Sequence, residues 1–117
     1  MTVEQVIDEI ETAARRFRFI QAMVRVDVTH FSVKYRLMIG SDLYVQIYAN
    51  VRSGTTGLAL VHQGRRLYGR DSEDWQWHRH PIDDPETHDF SAEGAQLVSI
   101  EAFLLEVGEI LVTQGLI

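Results

Sequence analysis

Residues 31–51 read FSVKYRLMIGSDLYVQIYANV, and apolar and polar side chains alternate along both halves of this segment. A period of two predicts β-strands that have one buried face and one open face. Gly40-Ser41-Asp42, which separates the two halves, predicts a turn. Because so short a turn cannot cross over a sheet, the two strands should be antiparallel neighbours.

The same alternation continues on both sides of this segment. Strands are predicted across residues 20–28, 31–39, 43–51, 55–62, 65–70 and 75–80. Gln63-Gly64 is predicted as a tight turn and residues 71–74 as a loop. Since every connection is short, each strand should pair with the next, which predicts an antiparallel meander of about six strands.

Two amphipathic helices should flank the strands. Thr2 and Gln5 form a capping-box pattern at the start of an apolar stripe across residues 3–17. A second stripe follows Ser99, a good N-cap residue, and Gly115 suits the position just after the helix. Each stripe needs an apolar surface, and the meander offers one. We therefore predict a single α+β domain, residues 1–117, with both terminal helices packed on one face of the sheet.

Composition limits the classes of function. The chain has 117 residues, 45% of them hydrophobic, and no cysteine, so disulfides, thiol catalysis and Cys-ligated zinc are excluded. No basic-then-apolar leader opens the chain and no apolar run is long enough to span a bilayer, so we expect a cytoplasmic protein without membrane contact.

The open face of the sheet should be basic and rich in tyrosine. If the more apolar side of each strand, including Val24 and Val26, lies under the helices, the outer face carries Lys34, Arg36, Tyr44, Tyr48, Arg66, Tyr68, Arg70, His78 and His80. Basic side chains neutralise phosphate and aromatic rings stack on unpaired bases, so this face, with Arg79 as a further basic contact, could bind nucleic acid. The alternative is an ordinary solvated face, because acids form strands poorly and the net charge is −6.

The segment Trp75-Gln76-Trp77-His78-Arg79-His80-Pro81 is the richest in chemistry. Two histidines that lie two residues apart on a strand leave the same face, where they could act as general acid and base. Arg70, or Arg66 or Arg79 in its place, could stabilise the charge that develops on phosphorus. The pattern therefore allows a metal-free ribonuclease with His78, His80 and Arg70 at its centre and no cofactor.

Two other interpretations of this segment stay open. The two histidines could hold Zn²⁺ or Ni²⁺ with a third ligand, for which His88, Asp83 and Asp89 are the candidates. Alternatively, the histidines are structural or solvated, and Trp75 and Trp77 cover the core or the sheet edge.

At the level of the whole pattern, the chain resembles the TumE-type toxins of toxin–antitoxin systems. The likeness covers residues 35–111 and rests on Lys34-Tyr35-Arg36, Arg66-Leu67-Tyr68-Gly69-Arg70-Asp71, Trp77-His78-Arg79-His80-Pro81 and a closing Glu-rich amphipathic helix. The resemblance implies a toxin that acts on RNA and has a small antitoxin as its partner.

From the residues and the resemblance together, we expect a toxin that is a metal-independent ribonuclease. A non-enzymatic module that binds a protein or a second copy of itself is the alternative, and a metal-dependent hydrolase is the third hypothesis. Self-association is expected because Tyr44, Tyr48 and Met38 would form a large, partly apolar patch on the open face.

Overall fold

Two helices and six strands follow one another in the computed structural model, which describes residues 1–117. They are α1 (Val3–Arg15), β1 (Ala22–Val28), β2 (Ser32–Met38), β3 (Leu43–Asn50), β4 (Thr55–His62), β5 (Arg65–Glu73), β6 (Gln76–His80) and α2 (Ile100–Thr113). The strands form one antiparallel sheet in the order β1-β2-β3-β4-β5-β6. The predicted α+β meander with a helix at each end is therefore confirmed.

Local signals set the ends of both helices. The Thr2 hydroxyl accepts a hydrogen bond from the Gln5 backbone, and the Gln5 side chain accepts one from the Thr2 backbone, so the predicted capping box is present. The Ser99 hydroxyl caps α2 by accepting from the backbone of Ala102. Gly115 has φ of +67°, a conformation that favours glycine, and ends α2 as predicted.

Both helices pack on the same face of the sheet, as predicted. One core combines their apolar stripes with the inward side chains of β2, β3 and β4. Its fully buried members include Ile10, Val33, Tyr35, Leu37, Val45, Ile47, Leu58, Leu60, Phe103, Leu104, Val107 and Leu111. The opposite face of the sheet carries no helix, and below it is called the open face. Neither helix has the length and apolarity that crossing a membrane requires.

The predicted inner face of the edge strand β1 is wrong. Val24 pairs with Arg36 on the open face, whereas Arg25 pairs with Tyr35 on the helix face. Val24 and Val26 are both more than 40% exposed. Arg25 takes the inner side, where the Tyr35 hydroxyl accepts a hydrogen bond from it at 2.9 Å. A bulge after Arg25 then shifts the register, so that Asp27 pairs with Lys34 on the open face.

The strand β5 is longer than predicted and changes face along its length. Leu60 pairs with Tyr68 but Val61 pairs with Arg66, so a bulge at this point leaves Leu67 without a partner. Arg66 stays on the open face, as predicted. Tyr68, in contrast, turns toward the helices, so its predicted outward orientation is wrong.

The register beyond this bulge sets the faces of the rest of β5. Arg70 pairs with Leu58, a core residue, so it also lies on the helix face, and its predicted place beside the histidines is wrong. The strand continues through the predicted loop, and Asp71 pairs with His78 of β6. Because directly opposed residues of antiparallel strands share a face, Asp71 lies on the open face with the histidine.

Candidate metal centre

Side chains from β5, β6 and the loop after β6 converge at one end of the open face. His78 and His80 project from β6 on the same side, as predicted from their spacing, and both are more than nine-tenths buried. Asp71 reaches them from the neighbouring strand β5. His88 comes from the loop and lies beside both rings, at 4.8 Å between ring centroids in each case.

The ligand atoms of this cluster lie at distances that suit one metal ion. The Nε2 atoms of His78 and His80 are 3.2 Å apart, and Asp71 Oδ2 lies 3.1 Å from the His80 Nε2 and 3.8 Å from the His78 Nε2. A tetrahedral zinc ion with Zn–N bonds of about 2.0–2.1 Å holds two nitrogen ligands about 3.3 Å apart. The ligand nitrogen of His88 lies within 4.8 Å of those of the other two histidines. The three closer groups, His78, His80 and Asp71, therefore approximate one face of a coordination sphere.

The second ring nitrogen of His80 fixes its tautomer. Nδ1 lies 2.8 Å from the carbonyl oxygen of Pro85, which can only accept, so Nδ1 donates the hydrogen bond. In a neutral ring Nε2 then has a free lone pair, and this lone pair faces the carboxylate of Asp71 at 3.1 Å. Two acceptors in contact need a cation between them, either a proton or a metal ion. A ligand histidine whose other nitrogen donates to a carbonyl is the usual arrangement at metal sites.

Burial favours the neutral form of His78. Loss of solvent around the ring lowers the pKa of His78 below its ordinary value, and Asp71 opposes this effect while His80 and His88 reinforce it. A neutral imidazole is the form that binds a metal ion.

The loop that carries His88 is fastened to β6 by its neighbours. The Arg79 side chain donates to Asp89 Oδ2 at 2.6 and 3.0 Å, and the backbones of the two residues exchange hydrogen bonds. Hydrogen bonds from Ser91 and Arg79 lower the pKa of Asp89 to about 2. Arg79, predicted as a nucleic-acid contact, and Asp89, a predicted alternative ligand, are thus committed to each other. Asp83, the other alternative ligand, is exposed and is not part of the cluster.

The cluster lines a cavity of about 320 Å³. The other lining residues are Arg66, Glu73, Gln76 and Phe90. Arg66 is the only basic side chain among them, and its NH1 lies 3.5 Å from Asp71 Oδ2. The site thus combines side chains that can bind a metal ion with one guanidinium group, and it is open to solvent.

Arg70 and Tyr68 belong to a different cluster, on the helix face. The Arg70 guanidinium donates to the Glu106 carboxylate of α2 at 2.7 and 3.1 Å and to the Glu93 carbonyl oxygen at 2.8 Å. The Tyr68 hydroxyl donates to Glu106 at 3.0 Å, and burial raises the pKa of Tyr68. The sheet itself separates Arg70 from the histidines, so it cannot reach a group bound to them.

The remaining predicted binding residues do lie on the open face. Lys34 pairs with Tyr48, and Arg36 sits with its guanidinium carbon 4.7 Å from the centre of the Tyr44 ring. They are on β2 and β3, while the histidines are on β6, so the structure does not bring the two groups together. Three of the outward positions of β4 and β5 between them are small: Gly57, Ala59 and Gly69.

Sequence reasoning missed Asp71 as a member of the site. The residue was assigned to a loop because four polar residues, 71–74, follow one another there. The sequence did carry a signal, because Gly69 and Asp71 continue the period of two beyond Leu67. In the structure the turn itself is confined to Asp74 and Trp75, which both have positive φ angles. Trp75 is 72% exposed in this turn and covers Gly54, whereas Trp77 packs against the core.

Comparison with protein-family models, curated proteins and solved structures found no match for this chain. The resemblance to the TumE-type toxins stays a prediction.

Proposed function

We propose that this protein is a metal-dependent hydrolase whose ion is held by His78, His80 and Asp71. The observation that carries the proposal is the convergence of two imidazole nitrogens and a carboxylate oxygen at 3.1–3.8 Å from one another. Two histidines and a carboxylate that leave other positions of the ion open are a common set for catalytic Zn²⁺.

The chemistry follows from what such an ion does to water. A bound Zn²⁺ ion lowers the pKa of its water to about 7, which supplies hydroxide at neutral pH. With such an ion bound, His88 would accept a proton from the water, the water oxygen would attack the ester centre, and the bond to the leaving group would break. The leaving oxygen would then take the proton from His88. His88 suits this role because it is exposed beside both buried rings.

Geometry favours the metal over the metal-free acid–base pair. Attack by a 2′-hydroxyl needs the base and the acid on opposite sides of the phosphorus, each within about 2.6–3.2 Å of its oxygen. The two Nε2 atoms are themselves only 3.2 Å apart, so both would reach the same side. A metal ion, in contrast, needs the ligand atoms to be this close.

Hydrolysis of bis(p-nitrophenyl) phosphate by zinc-loaded protein tests the proposal. We expect activity that EDTA abolishes and Zn²⁺ restores. His78→Ala and His80→Ala should lose the ion, whereas His88→Ala should keep it and turn over about 10²–10⁴-fold more slowly. The exposed His30 provides the control, since His30→Ala should behave as wild type. Activity that survives EDTA would instead support the metal-free pair.

We further propose that the substrate is RNA, and that the protein is a toxin that acts in the cytoplasm and is inhibited by a small antitoxin. Support for RNA comes from Lys34, Arg36, Tyr44 and Tyr48, basic and aromatic side chains that share the open face. The test is cleavage of a defined single-stranded RNA by the zinc-loaded protein. A Lys34→Gln/Arg36→Gln variant should bind that RNA more weakly and with less dependence on salt. Equal binding by the variant would count against this face.

Self-association is proposed from the same face. Met38, Tyr44 and Tyr48 leave apolar surface there that a second copy or an antitoxin could cover. Light scattering at high micromolar concentration should give more than the monomer mass. A monomer mass would contradict self-association. If a complex with the antitoxin then forms, the antitoxin is the protein that covers the patch.

A further inference from the structure

The single basic residue of the cavity is paired with a proposed metal ligand. Arg66 NH1 lies 3.5 Å from Asp71 Oδ2, and the two side chains are 41% and 19% exposed. That same oxygen atom faces the Nε2 atoms of His78 and His80. One carboxylate oxygen therefore serves both the guanidinium and the position where the ion would bind.

A metal ion at this position would change the balance of charge. Among the residues that line the cavity, Arg66 carries one positive charge, and Asp71 and Glu73 carry one negative charge each. Adding a divalent cation reverses the sign of their formal charge. It also places two positive groups on one oxygen, and their mutual repulsion is strong where water is partly excluded. The arrangement is relieved when an anion joins the metal and the guanidinium.

The cavity of about 320 Å³ that Arg66 lines has room for that anion. A Cβ atom at Gly69 would lie 3.5 Å from Arg66 Cδ and 3.7 Å from His80 Cβ, so Gly69 is the floor between them. The arginine thus stands beside the histidines with no side chain between. A guanidinium in such a position recognises phosphate oxygens by charge-assisted hydrogen bonds.

We propose that Arg66 anchors a phosphate group of the substrate, and that the ion pair with Asp71 keeps the Arg66 guanidinium from binding phosphate until the metal ion binds. The inference rests on the proposed metal-dependent hydrolysis and deepens it, because it names the residue that recognises the phosphate group of the substrate. It also makes metal and substrate binding mutually favourable, since each must raise the affinity for the other by the same factor.

Calorimetry with methylphosphonate, whose P–C bond resists hydrolysis, tests the anchor. Zinc content is measured first, and the zinc-loaded protein is then titrated. Arg66→Gln should bind methylphosphonate about 10–100-fold more weakly than wild type, as for the loss of a charge-assisted hydrogen bond. Arg65→Gln is the matched control, because Arg65 is an exposed neighbour that does not line the cavity. Equal affinity of the Arg66→Gln variant and wild type would overturn the anchor.

A second arm separates this inference from the proposed function. Without metal, Asp71→Asn should bind methylphosphonate at least about 10-fold more tightly than wild type, because the freed Arg66 no longer has a carboxylate partner. Adding Arg66→Gln to this variant should remove the gain. Wild type that binds no zinc would reject the proposed metal site alone, whereas equal affinity of metal-free Asp71→Asn and wild type would reject the restraint of Arg66 by Asp71.

Discussion

Arg70 and Asp71 are neighbours on β5, yet they belong to polar clusters of opposite kinds on opposite faces of the sheet. On the helix face, Arg70 and Tyr68 donate and Glu106 and two backbone carbonyls accept, so donors and acceptors are matched. On the open face, Asp71 Oδ2 lies 3.1 Å from the Nε2 atom of His80, whose Nδ1 already donates to the Pro85 carbonyl, so a proton or a metal ion on Nε2 must join the two. Buried donors and acceptors that are all paired indicate a structural role, whereas acceptors that converge without a donor indicate a site for a ligand.

The largest expected effect is on the structural cluster. Glu106→Ala should lower the free energy of unfolding by about 3 kcal/mol, because it leaves the buried Arg70 guanidinium without its carboxylate. Urea unfolding measures the change, and Glu109→Ala, an exposed position on the same helix, should change it by less than about 0.5 kcal/mol. An equal, small change in both variants would mean that the inner cluster is not structural.

The open-face cluster should stabilise the protein only through its ion. At a free Zn²⁺ concentration 100 times its Kd, wild type should gain about 2.7 kcal/mol of unfolding free energy, and EDTA should remove the gain. His80→Ala should show no gain, while the destabilised Glu106→Ala variant should still show it. Loss of the zinc effect in Glu106→Ala, or its retention in His80→Ala, would contradict the assignment of a structural role to one cluster and a ligand role to the other.

The pair Arg79–Asp89 should matter to turnover more than to zinc binding, because it positions the loop of His88. Arg79→Gln should lower kcat by about 10–100-fold, as for a displacement of about 1 Å of a catalytic group, and leave zinc affinity nearly unchanged. Steady-state kinetics and zinc titration measure the two effects. Glu93→Gln is the control, since Glu93 also contacts Arg79 but is 75% exposed. A proportional loss of zinc affinity would make His88 a ligand instead.

The smallest effect concerns a second matched cluster, at the rim of the helix face. The Tyr35 hydroxyl donates to Glu11 at 2.6 Å, and this bond, with Arg25 nearby, lowers the pKa of Glu11. A lowered pKa in the folded state stabilises the fold above the unfolded pKa of about 4.3, and the gain is lost as the pH falls below it. Thermal unfolding from pH 6 to pH 3 should therefore show a steeper loss for wild type than for Glu11→Gln. Parallel curves would contradict this.

Most of the fold could be predicted because its signals are local. The period of two in residues 31–51, the short turns and the caps at Thr2 and Ser99 each act within a few residues. The single apolar stripe of each helix then leaves one arrangement, with both helices on the same face.

The faces of β1 and β5 could not be predicted by the same rule. Both strands contain a bulge, which adds one residue and breaks the alternation. Nothing in the sequence near Leu67 marks that position, since the cause is the pairing with β4. The consequence was large: Arg70 was assigned to the histidine site, from which it is absent.

The histidines themselves could be predicted as a pair, because the strand period fixes their common face. The chemistry of the pair could not be predicted, since it depends on the 3.2 Å contact between two Nε2 atoms and on the Pro85 carbonyl that sets the tautomer of His80. These are distances between segments that no local pattern specifies.

Zinc K-edge absorption spectroscopy on protein loaded with one equivalent of Zn²⁺ tests whether His78, His80 and Asp71 hold the ion. We expect one tightly held ion per chain, with two imidazole nitrogens and a carboxylate oxygen at about 2.0–2.2 Å. In Asp71→Asn and His80→Ala, the ion should be lost on desalting. An ion surrounded by water oxygens alone in wild type, or an unchanged spectrum in both variants, would contradict a metal site formed by these side chains.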